Sequence, residues 1–195
     1  MIIALKDNDT IWLATGIIGN YRCLHTEDLL HEDNLKLWHP HNRLDFIMGV
    51  NDVSAPYIDE LRYGDHDLFD GNLTADAIVR SFLPDLKSYC KDRDGLDEDG
   101  EMWRPLILAK GDRAFIVSED FCVSEVEDFG AIAFGGNEDL ALGALQLSVD
   151  RPPVERLTEA FRAVSQGALQ CYFPIVIMNT KTDEKIVVRE VTYEA

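Results

Sequence analysis

The stretch Met102–Leu147, MWRPLILAKGDRAFIVSEDFCVSEVEDFGAIAFGGNEDLALGALQL, reads as one continuous structural sequence. Trp103–Ala109 is an apolar strand, Lys110-Gly111-Asp112 a turn, and Ala114–Val117 a second strand. Glycine and aspartate in the turn make this a hairpin signal. A short strand follows at Phe121–Val126. The glycine-rich run Gly130-Ala131-Ile132-Ala133-Phe134-Gly135-Gly136-Asn137 then opens a helix over Glu138–Leu147.

Working outward, the first strand Ile2–Lys6 turns through Asp7-Asn8-Asp9 into Thr10–Ala14, with both strands nearly continuously apolar. Such runs fit strands covered on both faces. Residues 15–34 read as irregular, with an extended piece near Tyr21–His25. Leu35–Trp38 and Leu44–Val50 form a second hairpin through His39-Pro40-His41-Asn42. A helix capped by Asn51 or Ser54 carries Tyr57, Ile58 and Leu61 as its stripe and stops at Gly64. Another follows Asn72 to about Asp92, with Ala77, Ile78, Phe82, Leu86 and Tyr89 in phase and Pro84 predicting a kink or break. After the 102–147 stretch, Pro152-Pro153 starts a helix over Val154–Gly167. Strands Cys171–Asn179 and Lys185–Val191 close the chain. Strand pairs alternate with helix pairs, which predicts an α+β fold: an αββα sandwich of two antiparallel sheets between helix layers, one domain over residues 1–195.

Composition narrows the function classes. With 195 residues and 46% hydrophobic content, the chain can bury one sizeable core. No apolar run approaches the roughly 18 residues a membrane helix needs, and the N-terminal segment reads as a strand, so a cytoplasmic protein is expected. Thirty-six acidic against 18 basic residues give a net charge of −18, which repels nucleic acid and anionic lipid alike. Six acidic residues fall within Asp92–Glu101, read as a solvated loop. Cys23, Cys90, Cys122 and Cys171 are far apart and form no CxxC pair, so reduced, mostly buried thiols are expected.

Phe134-Gly135-Gly136-Asn137 running into Leu140-Ala141-Leu142-Gly143-Ala144-Leu145, together with Cys171-Tyr172-Phe173, resembles the proteasome β-subunit and bacterial HslV branch of the N-terminal-nucleophile (Ntn) hydrolases. The resemblance implies an Ntn-type αββα fold and ring-like self-assembly. It also implies, for active members, an N-terminal threonine whose hydroxyl attacks a peptide carbonyl while its own α-amine acts as base. Aligning the first hairpin puts Met1 in the nucleophile slot, where a thioether has no proton to give up and no hydroxyl to attack with. Loss of Met1 would expose Ile2, which is equally inert. Ile17 stands where the family has an aspartate, and Phe134 replaces the serine of its glycine turn. Lys36 matches the family lysine, and Gly49 the glycine whose N–H helps form the oxyanion hole. Read from the residues alone, Lys36 is an exposed cation at a strand edge and Gly49 eases a strand-to-helix bend.

The expectation is a self-assembling relative that has lost threonine-peptidase activity, needs no cofactor, and uses its cleft for a peptide or partner. An active hydrolase with an unconventional nucleophile or processing, regulated by an ATP-dependent unfoldase, is the alternative. A metal module built on Cys23, His25, His31, His39 and His41 is a remote one, since the spacing matches no compact zinc motif. Asp65–Gly71 and Asp92–Gly95 lack the calcium-loop spacing, Gly135-Gly136 lacks a complete phosphate-loop pattern, and no serine sits in a nucleophile elbow.

Overall fold

The computed structural model describes residues 1–16, 36–40, 43, 45–52, 54–63, 71–133, 137–167 and 173–189. Among these residues, ten strands form two five-stranded antiparallel sheets. The first holds β1 (Ile2–Asp7), β2 (Thr10–Gly16), β8 (Phe129–Ile132), β9 (Ile175–Asn179) and β10 (Thr182–Val188), in the order β10-β9-β2-β1-β8. The second holds β3 (Leu37–Trp38), β4 (Phe46–Val50), β5 (Leu106–Lys110), β6 (Arg113–Val117) and β7 (Val123–Val126), in chain order.

Three apolar layers lie between four layers of structure, and the alternation along β1 shows how. Ile2 and Ala4 face the second sheet, with Leu37, Ile47, Ile107, Val176 and Met178 in the inter-sheet core. Met1, Ile3 and Leu5 face the other way, against Leu145, Leu157, Phe161 and Val164 of the helix pair α3 (Asn137–Leu147) and α4 (Pro153–Gly167). On the far side, Phe46, Met48, Val50, Leu108 and Phe115 pack on α1 (Ile58–Tyr63) and α2 (residues 75–92), through Leu61, Ile78, Phe82 and Leu86. A strand buried on both faces is apolar at every position, which is why the first hairpin shows no polar–apolar alternation. The expected αββα sandwich is the observed one.

Several boundaries differ from the sequence reading for definable reasons. The strand expected from Trp103 begins at Leu106, because Pro105 has no N–H for the ladder. The strand expected from Phe121 begins at Val123. Phe121 adopts a left-handed conformation (φ 65°) in a turn where Asp120 Oδ1 accepts from Cys122 N at 3.0 Å. Likewise, the last two strands run Ile175–Asn179 and Thr182–Val188, the former starting just after Pro174.

Gly130-Ala131-Ile132 belongs to a full strand, β8, and not to the glycine turn. It pairs with β1 in the register Ile2↔Ile132 to Leu5↔Phe129, so the chain changes sheets at Glu127-Asp128. A Cβ on Gly130 would lie 3.2 Å from both Ile116 and Val126, so the smallness that hid this strand is what lets it sit against β6 and β7.

The long helix α2 is continuous where a kink or break at Pro84 was expected. It consists of Ala75–Ala77, a π-helical turn Ile78–Phe82, and Leu83–Asp92. Leu83 N–H donates to Ile78 O, five residues back, which gives room for the ring of Pro84. Thr74 caps it, its Oγ1 accepting from Ala77 N at 3.1 Å. Asn137 lies within α3 and not ahead of it. Of the irregular stretch expected over residues 15–34, Thr15 and Gly16 instead extend β2; residues 17–34, Gly64 and the Cys171-Tyr172 pair fall outside the described residues.

Gly49 sits at the centre of the sandwich. A Cβ there would lie 2.6 Å from Leu37 Cδ2 and 2.9 Å from both Ile107 Cγ2 and Ile2 Cδ1. Its role is close approach of the two sheets, which corrects the reading of a strand-to-helix bend. Gly49→Ala is therefore expected to overpack the inter-sheet core and destabilise the protein by about 1–3 kcal/mol. Urea denaturation would register this as a lower midpoint at unchanged slope, and an unchanged midpoint would refute the packing argument.

Candidate functional site

At one end of the sandwich, β1 begins, β4 ends and β3 begins. Within the sheets, Ile2 is opposite Thr15 on β2 and Ile132 on β8, while Leu37 is opposite Gly49; across them, the contact of Ile2 with the Gly49 backbone brings the two ends together. Val50 N donates to Lys36 O at 3.0 Å, which fixes Lys36 beside the end of β4.

Met1 is 2% exposed, its side chain sealed into the layer between β1 and the α3–α4 pair. Its carbonyl accepts a hydrogen bond from Thr15 Oγ1 at 3.1 Å. Burial, and then the charge of Lys36, pulls the Met1 α-amine from 8.0 down to about 4, against the opposing pull of Glu138 and Asp52. Lys36 is 8% exposed, which corrects the expectation of an exposed strand-edge cation. Burial lowers its ammonium from 10.5 to about 8, opposed by Asp52. Two amines thus share a desolvated corner, one neutral near pH 7 and the other within reach of neutrality.

Asp52 is the carboxylate that both amines feel. Burial alone would raise it. Hydrogen bonds from Ser54 N at 3.0 Å and Ser54 Oγ at 2.8 Å, with Arg104 Nε at 3.4 Å, outweigh that and hold it below the usual carboxylate range. The sequence reading looked for an acid at position 17 and missed this one; an Asp-x-Ser turn directly after β4 was the available signal. Asn51, expected with Ser54 as an alternative helix cap, is 2% exposed, and neither Nδ2 nor Oδ1 has a hydrogen-bond partner among the described residues. Glu138 enters the corner from the first turn of α3, where its carboxylate accepts from Ala133 N at 2.9 Å.

The corner has proton acceptors, and two hydroxyls stand at it: Thr15, and the exposed Ser54, which donates to Asp52 Oδ1 at 2.8 Å. The Met1 thioether cannot attack a carbonyl, and the Thr15 hydroxyl is buried between two carbonyl acceptors, Met1 O at 3.1 Å and Gly16 O at 3.4 Å. Ile17 and Phe134 lie outside the described residues, as do Cys23, His25, His31 and His41. His39 is described, and its Nδ1 lies 2.9 Å from Phe46 O, engaged with its own hairpin. No group of three or more metal-ligating side chains occurs among the described residues, and no described helix is long and apolar enough to cross a membrane.

No family model matches the chain, and no curated protein sequence does. Solved structures do match in fold. Thiobacillus denitrificans BPH, in a complex with epoxomicin, superposes with a TM-score of 0.66 at 15% identity, over 91% of this chain and 96% of that one. Anbu (ancestral β-subunit) from Yersinia bercovieri gives 0.66 at 13% identity, over 97% and 86%. HslV from Trypanosoma brucei gives 0.55 at 13% identity, over 91% and 97%. The chain therefore has the fold of the proteasome-like Ntn hydrolases, the class that the glycine-turn and helix sequence resembles.

The two depressed amines make a pH prediction. An amine whose folded pKa lies below its unfolded value holds fewer protons when folded, so stability rises with pH between the two values. For Met1 that interval runs from about 4 to 8.0, and for Lys36 from about 8 to 10.5. Lys36→Met should abolish the rise in urea midpoint above pH 8 and leave the variant more stable than wild type at pH 7. Parallel pH profiles for the two proteins would show that Lys36 is solvated.

Proposed function

We propose that this chain is a single-domain, self-assembling cytoplasmic subunit that has lost threonine-type peptide hydrolysis. It retains the corner around Lys36 as a binding site for a peptide or partner segment. The observation that carries this reading is the residue at the head of β1. A methionine heads β1 and is sealed into the core, and the resemblance assigns it the slot where the fold family's chemistry requires a hydroxyl beside a neutral amine.

Purified protein whose intact mass begins at Met1 should leave fluorogenic peptides uncleaved and gain no mass on incubation with epoxomicin. Hydrolysis that Lys36→Ala abolishes without unfolding the protein would overturn the proposal.

One observation favours a second reading, an active hydrolase with an unconventional nucleophile or unanticipated processing, served by an ATP-dependent unfoldase. The α-amine is buried and neutral near pH 7, the state a general base needs, and Lys36 lies close enough to help keep it so. An intact mass showing removal of N-terminal residues would move this reading ahead of the first.

A further inference from the structure

β7 is the edge of the second sheet and β8 the edge of the first, and the chain passes from one to the other through Glu127-Asp128. An open groove of about 410 Å³ lies along these two edges. Ile116, Val126 and Gly130 give it an apolar lining, and the exposed Ser124, Glu127 and Asp128 a polar one. Within β8, Lys6 N donates to Asp128 O at 2.7 Å, which fixes the alternation. Gly130 turns its backbone groups to Ala4 of β1, and Phe129 and Ala131 turn theirs outward. Among the described residues nothing pairs with that outer side. Edge strands are ordinarily blunted by lysine, proline or a bulge, and Phe129–Ile132 has none of these. The charge beside it is one-sided. Glu125 is paired with Arg113 at 2.7 and 2.6 Å, and Lys6 with Asp112 at 3.8 Å. The carboxylates of Glu127 and Asp128 have no partner among the described residues.

We infer that the β8 edge takes an extended, lysine- or arginine-bearing segment of a partner protein as an added antiparallel strand. Phe129 and Ala131 each offer it an N–H and a C=O. Side chains alternate along such a strand, so the residue beside Gly130 points between the sheets. There a lysine or arginine lays its methylene stem against Ile116 and Val126 and brings its cation to Glu127 and Asp128. A second copy of this chain fits the edge badly, since it would bring the same two carboxylates and a further net charge of −18. Phe129 lies opposite Leu5, away from Met1, so the inference stands apart from the proposed site at Lys36.

Fluorescence anisotropy with labelled peptides of about ten residues, alternating valine with either lysine or glutamate, tests the inference. The lysine peptide should bind and the glutamate peptide should not. With lysine beside Gly130, the valine N–H groups face β8, so N-methylating the valines should abolish binding and N-methylating the lysines should not. Glu127→Lys/Asp128→Lys should weaken binding about tenfold. Glu98→Lys/Asp99→Lys changes the net charge equally in an exposed loop elsewhere and should leave binding as it was. No binding at millimolar peptide, equal affinity for the two peptides, or equal loss in the two charge-reversed variants would overturn the inference. The Phe129 and Ala131 amides should exchange hydrogen fast in the free protein and slowly with the lysine peptide. Amides already protected in the free protein would mean that another copy covers the edge, which would overturn the inference as well.

Discussion

Burial of β1 on both faces is the constraint on which the rest depends. Its even-numbered residues close the inter-sheet core, and its odd-numbered ones anchor the helix pair α3–α4. A strand so placed carries its first residue into the interior, and the α-amine goes with it. Desolvation then withholds the proton that an exposed amine would hold at neutral pH. The unusual electrostatics of the corner follow from the sandwich and need no additional device.

The same constraint explains why an apolar side chain stands beside two desolvated amines here. Packing rewards an apolar side chain at the head of β1, and Met1 joins the buried apolar layer that also holds Phe161 and Leu157. Nucleophilic chemistry rewards the opposite choice. Lys36 is buried for a related reason: its backbone is held against β4 by the Val50 hydrogen bond, and its ammonium meets the field of Asp52. Asp52 reaches the corner from the end of β4, so acid and lysine are kept together by the second sheet alone.

Much of this was legible in the sequence. Continuous apolar runs gave the doubly covered strands, turn residues gave the hairpins, and the order of strand and helix pairs gave the layers. What escaped was whatever depended on shape across the sandwich. β8 was hidden because Gly130 and Ala131 have weak strand propensity, and their value lies in fitting beneath Ile116 and Val126. Gly49 resembled a bend because nothing local announces that Leu37, Ile107 and Ile2 converge on it. At the site, alignment of the first hairpin singled out Met1, and the start of the second hairpin singled out Lys36. The burial of Lys36, the field of Asp52 and the unpartnered Asn51 are properties of the closed fold, and no spacing rule expresses them.

The most direct measurement is an experimental structure of untagged protein whose mass has been verified to begin at Met1. The account predicts Met1 packed against Leu157 and Phe161, its α-amine near Lys36, and no hydroxyl or thiol positioned to attack beside them. A cleft opened by removal of N-terminal residues, or a serine or cysteine within hydrogen-bonding distance of the α-amine or Lys36, would contradict it.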